Sequence, residues 1–379
     1  MKMEIYFHIP FCVRKCLYCD FLSAPADAAV QDAYMEALLR ETTERAREYK
    51  EYTVDTVFIG GGTPSVVDAV WIERLMEAVR GNFALAENAE VTMEVNPGTV
   101  DQQKLERYWG AGINRLSIGL QSADNEELRQ LGRIHTWEDF AETYRLAGRV
   151  GFTNLNVDIM SALPGQSLAS YRNTLKKVLD LKPQPKHISA YSLIVEEGTP
   201  FAKLHGKGLL NLPDEECERR MYQQTAEILG YHGYERYEIS NYAKKGYECR
   251  HNCGYWRRVE YVGFGIGAAS LVKNERFQNQ SNLQVYLENP LGCRSERQLL
   301  SLQEQMEEFM FLGLRMTQGI LEQEFRENFG KWLDEVYGSV IDRNLKDGLL
   351  QYRKDHGRLA LTKKGMDLSN YVMAQFLLD

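Results

Sequence analysis

The chain has 379 residues, 44% of them hydrophobic, with 45 Lys plus Arg against 53 Asp plus Glu and a net charge of −8. A chain this long builds its cores without disulfides and has room for two or three domains, and 11% aromatic residues exclude general disorder. The acidic balance speaks against a general nucleic-acid binder, and no run reaches the roughly 20 apolar residues of an integral membrane segment.

Short apolar runs alternate with helical patterns over the first half of the chain. Residues 3–9 read as a strand and 28–49 as a helix; strand-like 53–59 leads into Gly60-Gly61-Gly62-Thr63-Pro64 and a helix over 68–80. Strands at 89–95, 113–120 and 152–159 alternate with helices at 100–109, 124–131, 137–150 and 168–181, and 187–194 makes a sixth strand. Such regularity predicts parallel strands covered by helices, an α/β fold. Six units suit an open, partial (β/α)6 TIM-like barrel better than a closed one of eight. Ligands of such folds gather at the C-terminal strand ends. There this sequence places a cysteine loop, the glycine turn, Glu94, Gln121, Asp158 and Tyr191-Ser192.

After about residue 200 the alternation stops. A helix over 213–229, a β-rich section over 233–277 and a helical stretch over 302–345 follow, then strand-like pieces at 349–352 and 358–361 and a last helix from Lys363. The expected division is a barrel over 1–200, a connecting α+β region over 201–300 and a winged-helix-like module over 301–379. The last carries 10 Lys plus Arg against 13 Asp plus Glu, which disfavours phosphate binding and fits a barrel cover or a protein-docking module. Met1-Lys2-Met3-Glu4-Ile5 does not read as a signal peptide, so a cytoplasmic location is expected.

Seven cysteines, an odd number, argue against a disulfide framework. Cys12, Cys16 and Cys19 stand within eight residues, and thiolates that close must face something cationic. Zinc wants four ligands, often from paired C-x2-C knuckles. A cubane iron–sulfur cluster takes one cysteine per iron, so three cysteines leave one iron open to a small molecule.

Cys12-x3-Cys16-x-Tyr18-Cys19 resembles the signature of the radical S-adenosylmethionine (SAM) superfamily. His8-Ile9-Pro10-Phe11-Cys12 resembles its branch of oxygen-independent coproporphyrinogen III oxidases (HemN) and related haem chaperones (HemW). The resemblance covers essentially the whole chain. It implies a [4Fe-4S] cluster on Cys12, Cys16 and Cys19 with SAM on the fourth iron, and an electron donor for the cluster. It also implies SAM contacts from Tyr6, Tyr18, Gly61, Gly62, Thr63, Glu94, Gln121, Arg133 and Asp158. Glycine lets the turn come close to the ligand. Arg133 is assigned to the SAM carboxylate and Asp158 to the ribose.

Within this branch the decarboxylases carry a fourth cysteine two residues after the triad and a longer N-terminal arm. Here Phe21 stands at that position, and Cys12 is the twelfth residue. Arg250-His251-Asn252-Cys253-Gly254-Tyr255-Trp256 matches the H-N-x-x-Y-W stretch of the haem chaperones. The resemblance thus implies a protein that binds haem and delivers it to haem-accepting proteins. A coproporphyrinogen III decarboxylase and a HemN-like methyltransferase are the alternatives. A neutral imidazole is a common haem-iron ligand, which makes His251 the candidate. The competing reading has His251 and Asn252 satisfying backbone groups beneath the barrel opening. The Cys249-x-His251-x-Cys253 spacing is not a familiar zinc site.

Residues 261–270 match a G-x-G-x-G-A-x-S stretch of the family, although Ala269 stands where many haem chaperones have histidine. Without a strand–turn–helix context this is no dinucleotide site. His8 reads as a packed strand residue, and His135, His187, His205, His232 and His356 as isolated.

Overall fold

Strand β1 (Lys2–Ile9) starts a right-to-the-expectation series: α1 (Ala28–Arg45), β2 (Thr53–Gly61), α2 (Ala69–Asn82), β3 (Ala84–Val95), α3 (Gln102–Gly110), β4 (Arg115–Gln121), α4 (Asn125–Gln130), α5 (Trp137–Val150), β5 (Asn154–Ser161), α6 (Leu168–Leu179) and β6 (His187–Ser192). The structure, a computed structural model, describes residues 1–353 and 357–378, so His356 lies outside the described residues. The six strands β1 to β6 lie side by side in chain order, joined by five parallel pairings. Strand β4 is buried at all seven positions, as a strand covered on both faces must be. Every helix of the series starts on Asp27, Asp68, Asp101, Asp124, Thr136 or Ser167, whose side chain accepts a first-turn N–H. Each such cap is worth about 1 kcal/mol.

Residues 201–300 continue the same sheet on both sides. After α7 (Pro200–His205) and α8 (Glu215–Tyr231) come β7 (Glu235–Arg236), β8 (Asn241–Ala243), α9 (Arg250–Trp256), β9 (Tyr261–Phe264), β10 (Ala269–Val272), β11 (Glu275–Asn279), α10 (Leu283–Glu288) and β12 (Arg294–Leu299). Strand β9 lies parallel to β1, and β8 antiparallel to β6. The twelve-stranded order is β12-β11-β10-β9-β1-β2-β3-β4-β5-β6-β8-β7, open at both ends. One apolar core joins the barrel to Met221, Tyr242, Phe264, Tyr286 and Cys293 of this region.

Two local expectations change. Strand β3 begins at Ala84, not 89, because Ala84 and Leu85 pair with Thr53 and Val54 across a bulge. Residues 84–88, Ala-Leu-Ala-Glu-Asn, do not alternate apolar with polar in the way the buried part of the strand does. The H-N-x-x-Y-W stretch, placed in a β-rich section, is the helix α9.

The C-terminal part has its own core, including Met310, Phe325, Leu333, Tyr337, Leu359 and Phe376. It comprises α11 (Leu302–Gly313), β13 (Ile320–Leu321), α12 (Glu322–Phe329), α13 (Leu333–Lys346), β14 (Leu350–Arg353), β15 (Arg358–Leu361), α14 (Lys363–Asp367) and α15 (Ser369–Ala374). Its three strands form an antiparallel sheet, the wing of the expected winged-helix-like module. It docks on the barrel through Glu308, which pairs with Arg258 at 3.0 Å and Arg276 at 2.6 Å, and through Arg315, whose guanidinium lies 4.2 Å from the Trp256 ring centre.

Candidate functional site

The C-terminal ends of the six parallel strands surround one cavity of about 510 Å³. That size suits a single small-molecule ligand. Cys12, Cys16, Cys19, Tyr18, Gly61, Gly62, Thr63, Glu94, Gln121, Arg133 and Asp158 all line it. The sequence scattered these groups over about 150 positions, and parallel strands bring them to one rim because each strand ends at the same face of the sheet.

The cysteine loop is tied back on itself by Ala24 N–H to Pro10 O at 2.9 Å and Cys12 N–H to Ala24 O at 3.3 Å. The glycine turn lies against it, with Gly62 N–H donating to Ile9 O at 2.9 Å and Thr63 N–H to Phe11 O at 2.6 Å. A methyl group on Gly62 would stand 2.5 Å from the Phe11 carbonyl oxygen, and one on Gly61 2.9 Å from the His8 ring. These glycines therefore serve the packing of turn on loop, a role their expected approach to a ligand did not include. Gly61 also has φ +117°, which only glycine takes up readily.

Glu94 accepts the Gly61 N–H at 3.1 Å. Burial, reinforced by the Asp158 charge, pushes its carboxyl up to about 8. Asp158 is raised too, mainly by burial, and accepts from Asn156 Nδ2 at 2.7 Å and Ser117 Oγ at 3.2 Å. Gln121 ends β4 with φ +72° and accepts the Tyr191 hydroxyl at 3.0 Å. Arg133 bridges loop and sheet: it donates to Asn96 Oδ1 at 2.9 Å and Gly119 O at 2.8 Å, and reaches Cys16 Sγ at 3.7 Å.

The donor set fits a cluster with a polar ligand beside it. Three soft thiols share the cavity wall; burial raises Cys12 and Cys19 and holds them as thiols in the free protein, and a cationic metal is what draws their protons off. Arg133 Nε and Arg115 Nε are buried in that wall without a partner among the described residues. Each of these two Nε–H donors is left for an acceptor that enters the cavity.

Two candidates are not brought to the cavity wall. Tyr6 gives its hydroxyl to His8 at 3.0 Å and its ring to Phe58. His251 is 1% exposed and stacks on Phe58, which itself faces the cavity. Its Nδ1 meets Thr56 Oγ1 at 2.7 Å and its Nε2 meets Tyr255 OH at 3.2 Å. Burial pulls the ring down to about 3, so it is neutral. Neither nitrogen is free for iron; the ring is satisfied by two side-chain hydroxyls, where the competing reading expected backbone groups. Asn252, next to it, does reach the cavity.

Arg115, Asn96, Ser117, Asn156 and Ser189 line the cavity as well and were not singled out as site residues. Arg115 had a signal: it is the one charged residue of its strand.

The residues and fold define a radical SAM protein. The radical SAM superfamily matches residues 6–178, and the HemN C-terminal domain matches residues 300–368. The chain is 36% identical to the haem chaperone HemW of Lactococcus lactis, over 99% of this chain and 97% of that one. It is 35% identical to HemW of Bacillus subtilis over 98% of both chains. It therefore belongs to the HemW family. The solved structure of HemN, the coproporphyrinogen III oxidase of Escherichia coli, superposes with a TM-score of 0.85 over 99% of this chain and 90% of that chain. At 23% identity that match speaks for the fold alone. Among the described residues no helix is long and apolar enough to cross a membrane.

Proposed function

We propose that this protein is a haem chaperone that holds a [4Fe-4S] cluster and SAM in its barrel and hands haem to haem-accepting proteins. The observation that carries this reading is the full-length similarity to proteins named haem chaperone HemW. Phe21, 61% exposed at the cavity mouth where the decarboxylases have a further cysteine, supports it.

Cys12, Cys16 and Cys19 are the residues that hold the cluster in this proposal. Tyr18, Gly61, Gly62, Thr63, Glu94, Gln121, Arg133 and Asp158 are those that hold SAM. When bound, cluster and SAM supply one-electron reductive cleavage of a sulfonium. The chain's own part is to orient. Glu94 takes a cationic amino group, Arg133 and Arg115 take carboxylate or hydroxyl oxygens, and the strand ends keep bulk water from the inner wall. An electron donor docks from outside. Residues 1–200 hold the cofactors, 201–300 extend the sheet on both sides, and 301–379 offer a face to partner proteins. The iron ligand of haem is assigned outside His251.

The test is anaerobic. Cluster-reconstituted protein with SAM and a reductant receives either haem or coproporphyrinogen III. Stoichiometric haem binding without decarboxylated product is the expected result. Turnover to protoporphyrinogen would overturn the proposal in favour of the decarboxylase. An intact cluster with neither outcome would favour a methyltransferase.

A further inference from the structure

Asp158 faces the cavity beside Asn156, and behind them stand two residues that do not line it, His187 and Tyr237. Asn156 is 1% exposed, His187 0% and Tyr237 7%. His187 Nδ1 lies 2.6 Å from Asn156 Oδ1, and His187 Nε2 lies 2.8 Å from Tyr237 OH. Asn156 Nδ2 lies 2.7 Å from both Asp158 Oδ1 and Ser117 Oγ.

These contacts admit one assignment of protons. The Asp158 carboxylate accepts, so the Asn156 amide nitrogen faces it and the amide oxygen faces His187. That oxygen can only accept, so His187 Nδ1 donates. The buried ring is neutral, so Nε2 accepts from the Tyr237 hydroxyl. The Tyr237 oxygen in turn accepts the Cys249 N–H at 3.3 Å. Every bond in the chain donates toward Asp158.

The far end of the chain lies at the join with the C-terminal module. Tyr237 O accepts the Thr317 N–H at 2.9 Å, and Glu238 makes a bridge with Met316. We infer that Tyr237 and His187 are positioning residues for Asp158: they hold its carboxylate in the orientation that receives the ligand ribose, and tie it to the seat of the C-terminal module. The inference rests on the proposed contact between Asp158 and SAM.

The test measures SAM affinity on full-length, cluster-reconstituted protein, with iron and sulfide content determined for each variant. Tyr237→Phe removes one hydroxyl and keeps the ring. It is expected to weaken SAM binding about three- to tenfold, the equivalent of one lost hydrogen bond, at unchanged cluster content. Asp158→Asn weakens SAM by itself, and the double variant loses no more than Asp158→Asn alone, as linked residues do. Unchanged affinity in Tyr237→Phe, or strictly additive losses, would overturn the inference while the Asp158 contact stands. Unchanged affinity in Asp158→Asn would remove the contact on which it rests. A fall in cluster content would mark Tyr237 as a general packing residue and end the positioning role.

Discussion

The Nε2 of His8 stands 2.8 Å from the carbonyl oxygen of Leu22. A carbonyl only accepts, so Nε2 carries the proton, and Nδ1 accepts the Tyr6 hydroxyl at 3.0 Å. Burial lowers the ring below its usual range and keeps it in this neutral tautomer. The first barrel strand thus grips the far end of the cysteine loop. On the other side, Leu22 fills the space where Gly267 lacks a side chain, with 2.6 Å left for a methyl group. The glycine-rich stretch matched in the sequence is a seat for the loop.

His8→Phe removes the grip and leaves the Leu22 carbonyl unpaired, costing about 1–3 kcal/mol. The expected outcome is a several-fold loss of iron and sulfide retained after reconstitution and gel filtration. Full retention would show that the loop holds itself.

Gly62→Ala puts a methyl group against the Phe11 carbonyl oxygen, a backbone atom that cannot rotate away. Overpacking of this kind costs about 1–3 kcal/mol. Gly81→Ala in α2 meets nothing within 4 Å, and is expected to stabilise by about 0.5–1 kcal/mol through helix propensity. Urea midpoints of the two variants should move in opposite directions.

Glu94 gives a pH signature. With its carboxyl pushed up to about 8, it is protonated in the free protein at pH 7. A cationic amino group placed beside it draws the proton off. SAM affinity is therefore expected to rise with pH up to about 8, with net proton release below that. Calorimetry in two buffers of different ionisation enthalpy measures the release, and Glu94→Gln should abolish it. Proton-neutral binding at pH 7 would remove Glu94 from the ligand contact.

His251 gives a second signature, this one in folding stability. Its folded value, about 3, lies below the unfolded 6.5, so its contribution is complete above 6.5 and is lost as pH falls toward 3. His251→Gln should flatten the fall of stability with acid across that window, read from urea midpoints at several pH values. The Soret band of haem-loaded protein should not change. A shifted band would return His251 to the iron.

The strand–helix order, the cysteine loop and the strand-end polar groups were legible in the sequence because each is a local pattern. Period-two and helical apolar spacing mark elements, and parallel strands oblige their C-terminal ends to meet. The start of β3 was not legible, because pairing of Ala84 and Leu85 with Thr53 and Val54 across a bulge leaves no alternating pattern there. Neither was the burial of His251, since one residue number says nothing about what packs on its ring.

Helix α9 shows the division most clearly. Its first position follows Cys249, whose side chain makes no cap bond. The cap comes from Glu90, 160 residues earlier, which accepts the N–H of Arg250 at 3.1 Å and of His251 at 3.2 Å. By itself the sequence determined the family, the cluster loop and the barrel, because neighbours along the chain carry those signals. Only the tertiary structure decided where the H-N-x-x-Y-W motif points. An unsatisfied helix start accepts whichever carboxylate the fold delivers, and here Glu90 turned the motif into a helix that keeps His251 behind Phe58.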